Sequence, residues 1–154
     1  MKQYYGYEEF QKDTRKLMQK TKSFHPEAIV GIARGGLTLS HCMGEGLNIR
    51  EVQTLRTELY DARCKRENIS LFGTCSFTNI SRVLVLDDIA DSGETLKETI
   101  KYLEENFKGI EFRAATLFYK KSSVYEPHYW VNKAVNWIEF FWELDFKTNA
   151  PLPL

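Results

Sequence analysis

The chain has 154 residues, with 21 basic and 21 acidic side chains, a length that sets one domain with room for a sizeable core. The charge balance leaves no footprint of a nucleic-acid partner and no acidic tail. No apolar run approaches the ~20 residues that cross a bilayer, and the opening MKQYYGYEEFQKD lacks the apolar centre of a secretory leader. A cytoplasmic protein without a membrane partner is therefore expected. Cys42, Cys64 and Cys75 are odd in number and lack C-x-x-C spacing, which favours reduced thiols over a disulfide or a zinc site. Oxidation between Cys64 and Cys75 stays open if the segment between them is exposed.

In chain order, Tyr7–Thr21 is polar with a helical period, and Phe10, Leu17 and Met18 are its expected buried positions. Ala28–Ala33 (AIVGIA) is short, apolar and rich in β-branched residues, a buried strand broken by Arg34-Gly35-Gly36. Leu37–Leu47 reads as a helix closing near Gly44–Asn48, and Val52–Leu59 alternates as a second strand. From Tyr60 to Asn79 there is little periodicity, and a stretch of that length without clear structure is usually functional or mobile. Arg82–Leu86 is the next strand. Glu94–Phe107 is a helix with Leu96, Ile100, Leu103 and Phe107 on one face. Glu111–Tyr119 is a further strand, Tyr125–Phe146 is dense in aromatics without a clear period, and TNAPLPL at 148–154 reads as a loose tail. Strands alternating with helices predict an α/β domain with a mostly parallel twisted sheet, whose ligands sit at the carboxyl ends of the strands. Arg34-Gly35-Gly36 and Asp87–Thr95 both fall at such ends.

The chemistry concentrates in VLVLDDIADSGETL, Val83 to Leu96. Asp91, Ser92, Gly93, Glu94 and Thr95 form a turn rich in small residues that enters a helix. Free N–H groups and the helix dipole make such a turn an anion site, with Ser92 and Thr95 as hydroxyl donors. It is neither a Walker A loop nor a dinucleotide fingerprint. A simple helix cap by Asp91 or Ser92 explains part of the pattern but leaves Asp87-Asp88 unexplained. Two carboxylates ending a buried strand suit a sugar's vicinal hydroxyls and a hard cation such as Mg²⁺.

A strand, two acidic residues and then D-S-G-x-T opening a helix resembles the phosphoribosyl-pyrophosphate (PRPP) motif of the type I phosphoribosyltransferases. That resemblance implies that Asp87 and Asp88 meet the ribose hydroxyls, with Asp88 in the Mg²⁺ shell, and that Asp91–Thr95 cradles the 5′-phosphate. Glu94 stands inside that loop and must turn away from the phosphate. Ala33-Arg34-Gly35-Gly36 resembles the family's pyrophosphate loop, where the glycines bare the backbone and Arg34 offers a forked donor. Family members often hold a non-proline cis peptide before this basic residue, which implies one at Ala33–Arg34. Residues 60–79 take the place of the mobile catalytic loop, with Arg66 as the residue that clamps pyrophosphate.

Trp137-Ile138-Glu139-Phe140-Phe141-Trp142-Glu143 is similar to the W-I-E-x-x-W-[DE] segment of short bacterial and archaeal 6-oxopurine enzymes. The resemblance implies that Trp137 stacks on the base, that the backbone of Ile138 and Glu143 meets its polar edge, and that Lys120 donates to the 6-oxo oxygen. Lys121 is adjacent, so the register stays open by one. Without the resemblance, Trp137 and Trp142 read as core residues. Taken together, residues 1–154 are expected to be one phosphoribosyltransferase domain with a hood mainly at 125–146. Its expected activity is Mg²⁺-dependent transfer from PRPP to N9 of hypoxanthine, guanine or xanthine in purine salvage, with Asp91 taking a proton near N7. The resemblance further implies a homodimer or homotetramer. The alternative is a PRPP or nucleotide sensor on the same fold, without catalysis.

Overall fold

A computed structural model describes residues 1–60 and 68–147. Its centre is a six-stranded sheet of β2 (Ala28–Ala33), β3 (Val52–Tyr60), β4 (Asn68–Phe72), β5 (Arg82–Ala90), β6 (Glu111–Tyr119) and β7 (Tyr129–Lys133), in the order β4-β3-β2-β5-β6-β7. Every pairing is parallel except β3 with β4. Parallel strands need covered faces, and the sequence of β2 and β5 supplies two apolar sides at once. Ile29, Leu84 and Leu86 join Leu17 of α1 (Tyr7–Thr21) and Leu39 and Met43 of α2 (Leu37–Leu47) in one cluster. Ala28, Val30, Val83 and Val85 join Leu96, Ile100 and Leu103 of α3 (Glu94–Asn106) in the other. The strands are therefore sandwiched between α1 and α2 on one face and α3 on the other.

From β2 the chain passes through α2 to β3 on one side, and from β5 through α3 to β6 on the other. β2 and β5 are thus the switch point of the sheet, where a crevice opens beyond the strand ends. The register shows how it opens. β5 pairs with β2 only as far as Gly31 opposite Leu86, yet it stays paired with β6 through Ala90 opposite Tyr119. Asp87 and Asp88 lie on this half-paired extension.

The expected helices over 7–21 and 37–47 and the strands over 28–33 and 111–119 have those bounds in the structure. Asn48 caps α2 in the left-handed region, φ 55°. Two readings need correction, and one strand carries no signal in the sequence. The strand expected to stop at Leu86 continues to Ala90, because β6 supplies partners past the point where β2 ends. The stretch read as structureless over 60–79 contains β4, the antiparallel edge strand, with Ile69 and Leu71 opposite Leu59 and Thr57. Residues 61–67, and with them Arg66 and Cys64, lie outside the described residues, as does the tail 148–154. Finally, Lys2–Tyr5 is a strand, β1, paired in parallel with β8 (Trp137–Phe140) as a separate two-stranded sheet, followed by a single turn, α4 (Phe141–Leu144).

Among the described residues no helix is long and apolar enough to cross a membrane. Cys42 and Cys75 are free thiols.

Gly36 seats α2 against the switch point. A Cβ there would lie 2.9 Å from the Ile32 carbonyl oxygen and 3.1 Å from the Asp87 Cα, both backbone atoms of the central strands. Gly36→Ala is expected to lower the unfolding free energy by about 1–3 kcal/mol through overpacking, read from the midpoint of urea denaturation at unchanged slope.

Candidate active site

The crevice at the switch point is a cavity of about 440 Å³. Its floor comes from the end of β2 (Ile32, Ala33, Gly35) and the extension of β5 (Asp87, Asp88, Ile89), with Thr57 of β3 at one side. Asp91 reaches it from the loop before α3, Thr95 from the first turn of α3, and Lys120 from the end of β6. The remaining wall is Ala134–Ile138 with Phe140 and Glu143.

The acidic pair dominates the electrostatics. Asp87 and Asp88 are 9% and 7% exposed, so both carboxylates are largely out of water. The Asp88 N–H donates to Asp87 Oδ1 at 2.9 Å, and the Ile89 N–H donates to Asp88 Oδ1 at 2.7 Å. Among the described residues no Lys, Arg or His comes within ion-pair distance of either acid. Burial, and then the charge of Asp88, raise the Asp87 pKa well above the carboxylate range. Burial likewise pushes Asp88 up to about 6, against the lowering pull of its hydrogen bonds. An unpaired, desolvated acid pair of this kind fits a hard cation with oxygen ligands. Among the described residues no group of three or more His, Cys, Asp or Glu side chains could hold a metal ion by itself. A cation here would have to complete its shell with oxygens of a substrate or of water.

The two flanking loops approach this pair closely. The Ala33–Arg34 peptide is cis, and Gly35 lies so near Asp88 that a Cβ there would sit 2.5 Å from Oδ2. The Arg34 side chain is exposed. On the other side Gly93, with φ 83°, is the residue that caps α3. Its left-handed conformation suits glycine, and a Cβ would crowd the backbone N of Tyr125 at 2.7 Å. Because Gly93 holds the cap position and no side chain caps the helix, the Asp91 carboxylate is not consumed there. Ser92 Oγ accepts the Glu94 N–H at 3.3 Å, and the Val124 N–H donates to the Ser92 carbonyl at 2.8 Å.

Lys120 Nζ lies 3.2 Å from Asp91 Oδ1. Lys120 lines the cavity and Lys121 does not. Trp137 is 66% exposed at the cavity wall, so this indole is not a core residue. Trp142 is half-buried against the core, its ring stacked on Phe140 with centroids 4.6 Å apart at 14°. Ile138 is buried beside the cavity, and Glu143 is exposed at it.

The structure thus gathers Gly35, Asp87, Asp88, Asp91, Thr95, Lys120, Trp137, Ile138 and Glu143 around one cavity. Arg34, Gly36, Ser92, Gly93 and Glu94 belong to the loops that border it rather than to its lining. Thr57, Val135 and Asn136 line it and were not anticipated. Asn136 adjoins Trp137 and was within reach of the sequence; Thr57 lies on a strand whose end becomes adjacent only through sheet order.

A doubly wound sheet with an acidic pair between a glycine-rich basic loop and a helix-entry anion loop is the architecture of the type I phosphoribosyltransferases. The phosphoribosyl transferase domain model matches residues 2–148. A Helicobacter pylori xanthine-guanine-hypoxanthine phosphoribosyltransferase is 32% identical, covering 96% of this chain and 97% of its own, with a TM-score of 0.90. A purine phosphoribosyltransferase from Pyrococcus horikoshii shares the fold at 24% identity and a TM-score of 0.82, covering 99% of this chain and 97% of its own. A hypoxanthine phosphoribosyltransferase from Staphylococcus aureus does so at 19% identity and a TM-score of 0.64, covering 80% of this chain and 73% of its own. The chain belongs to the phosphoribosyltransferase family, and it is a glycosyltransferase enzyme of that family.

The raised pKa values carry a stability consequence with a definite sign. An acid whose pKa rises on folding opposes folding once it is ionised, and the opposition disappears below the unfolded pKa of about 3.9. For Asp88 it is complete only above about 6. Asp88→Asn is therefore expected to raise the Tm of the ligand-free protein by a few degrees at about pH 8, with the gain vanishing as the pH falls towards about 4. Differential scanning calorimetry across that range checks it.

Proposed function

We propose that the protein is a purine-salvage enzyme that transfers the phosphoribosyl group of PRPP to N9 of a 6-oxopurine, releasing pyrophosphate. One observation carries this reading: a single cavity holds the acidic pair, the Asp91–Lys120 ion pair and the exposed face of Trp137. The first suits a ribose and a hard cation, and the others suit a flat base with an oxo group. The identity to the H. pylori enzyme over nearly the whole chain supports the same substrate class.

In this reading PRPP lies with its pyrophosphate against Arg34-Gly35-Gly36 and its 5′-phosphate on Asp91–Thr95, where backbone N–H groups and the helix dipole receive it. Asp87 and Asp88 take the ribose hydroxyls. Asp88, together with substrate oxygens, would hold Mg²⁺, which would supply charge neutralisation for the departing pyrophosphate. Trp137 stacks on the base, and the backbone at Ile138 and Glu143 meets its polar edge. Lys120 donates to the 6-oxo oxygen, a contact that adenine's amino group cannot accept.

The C1–oxygen bond to pyrophosphate breaks as the N9–C1 bond forms, through an oxocarbenium-like ribose. Asp91 accepts the proton released near N7, and its 3.2 Å contact to Lys120 holds the carboxylate towards the base side of the cavity. No covalent nucleophile is required; catalysis comes from positioning and from charge placed against the leaving group. Cytoplasmic location and a homodimeric or homotetrameric assembly belong to the same proposal. The sensor alternative has less support, since a sensor has no use for a base-side acid paired with a lysine.

Nucleotide formation from PRPP and Mg²⁺ with hypoxanthine, guanine, xanthine and adenine offered in parallel tests the reading. Turnover on oxo bases and none on adenine is expected; binding of PRPP without turnover on any base would refute it. Asp91→Asn should lower turnover by about 10²–10⁴-fold while leaving PRPP affinity in calorimetry within about threefold. Equal losses in both would remove Asp91 from proton transfer.

A further inference from the structure

The wall that faces the base, Ala134–Ile138, is not part of the main sheet. It leaves the sheet at the end of β7 and continues into β8, which pairs with β1 in the register Lys2–Trp137 to Tyr5–Phe140. The Trp137 N–H donates to the Met1 carbonyl at 3.2 Å, and Lys2 pairs with Glu139 at 3.0 Å. Where Trp137 stands is therefore set by where β1 stands, and a four-residue strand has little rigidity of its own.

β1 is held at its last residue. Tyr5 is 1% exposed, and its ring meets Phe118 and Phe140 edge-on at centroid distances of 4.9 and 5.7 Å. Its hydroxyl donates to Asp13 Oδ2 at 2.9 Å, and the same oxygen accepts Asn132 Nδ2 at 2.7 Å. Asp13 sits on α1 and is itself only 7% exposed. Asn132 belongs to β7, two residues before the wall begins, while Tyr5 lies opposite Phe140, just beyond its far end. One carboxylate oxygen thus ties both ends of the base wall to the same helix. Loss of that acceptor leaves the buried Tyr5 hydroxyl without a partner, while the half-buried Asn132 Nδ2 keeps only its longer contact to the Leu117 carbonyl at 3.4 Å, which makes the junction costly to break.

We infer that Asp13 is a positioning residue for base recognition: through Tyr5 and Asn132 it fixes the wall that carries Trp137 and Ile138. The functional half of this inference rests on the oxopurine reading above; the structural half does not. Phosphate-side groups stand on the main sheet and its loops, so loosening the junction affects the base and spares PRPP.

The test compares Asp13→Ala, Asp13→Asn and Tyr5→Phe with the unaltered chain, by amide hydrogen exchange and by steady-state kinetics. In Asp13→Ala, exchange across 134–140 is expected to quicken by about tenfold or more, with residues 87–95 unchanged. KM for the oxopurine should rise by about tenfold, with KM for PRPP within about twofold. Asp13→Asn keeps an acceptor oxygen and should restore both readouts. Tyr5→Phe keeps the ring and loses one bond, so a rise of about threefold in base KM is expected, and it stands in if Asp13→Ala does not fold. Equal rises in both KM values, exchange that quickens evenly over β5 and the wall, or Asp13→Asn as impaired as Asp13→Ala would each overturn the inference. If the unaltered chain forms no nucleotide, the oxopurine reading fails on its own, and the exchange pattern still decides whether Asp13 holds the wall.

Discussion

The arrangement depends on β5 outrunning β2. Past Gly31 opposite Leu86, β5 keeps a partner on one side only, and the four residues Asp87–Ala90 extend into the crevice that β2 leaves. A strand paired on both sides would give those residues no ligand space, and one paired on neither side would not hold them still. Pairing with β6 alone does both. It fixes the backbone and leaves one side open, towards which the loop after β2 folds back until Gly35 touches Asp88. The chain then has to accept two carboxylates with little water around them. That cost to stability is a property of the site as built, because the pair lacks a cationic side chain among the described residues. A protein selected only for stability would place apolar residues there.

Much of this was legible because the signals are local. AIVGIA and VLVL are apolar runs of strand length, and Leu96, Ile100 and Leu103 repeat at helical spacing and are all buried. The acid pair and the D-S-G-x-T turn are contiguous, so the phosphate side of the site could be written down before any topology. What escaped is non-local or short. Lys2–Tyr5 has no internal period, and its strand exists because β8 lies beside it far along the chain. β4 was hidden among polar neighbours, since an edge strand needs only one covered face. The end of β5 was misplaced because carboxylates argue against a strand, an argument that β6 overrides through tertiary pairing. Asp13 and Thr14, both buried on α1, gave no sign in a segment that reads as polar.

The two halves of the cavity differ in how they are built. The acid pair and its two flanking loops stand at the ends of central strands, with Gly36 and Gly93 pressed against backbone. Such positions tolerate little adjustment, since a shift of the Gly36 loop collides with the sheet and a shift of the Gly93 loop with residues 123–125. The Ala134–Ile138 wall continues into a two-stranded sheet held to the rest by aromatic edges, one shared carboxylate oxygen and the Ala134 N–H, which donates to the Tyr119 carbonyl at 2.9 Å. Substitutions at 134–143 or in β1 can therefore reshape what the wall accepts without disturbing the phosphoribosyl chemistry beneath it. In a family whose members share one donor and differ in acceptor, that separation is what the donor-side rigidity permits. The acceptor side can vary because its buried side-chain hydrogen bonds to the rest of the fold are concentrated at Tyr5, Asp13 and Asn132. The same concentration makes those three residues, remote from the acid pair in sequence, the ones through which the wall's position is set.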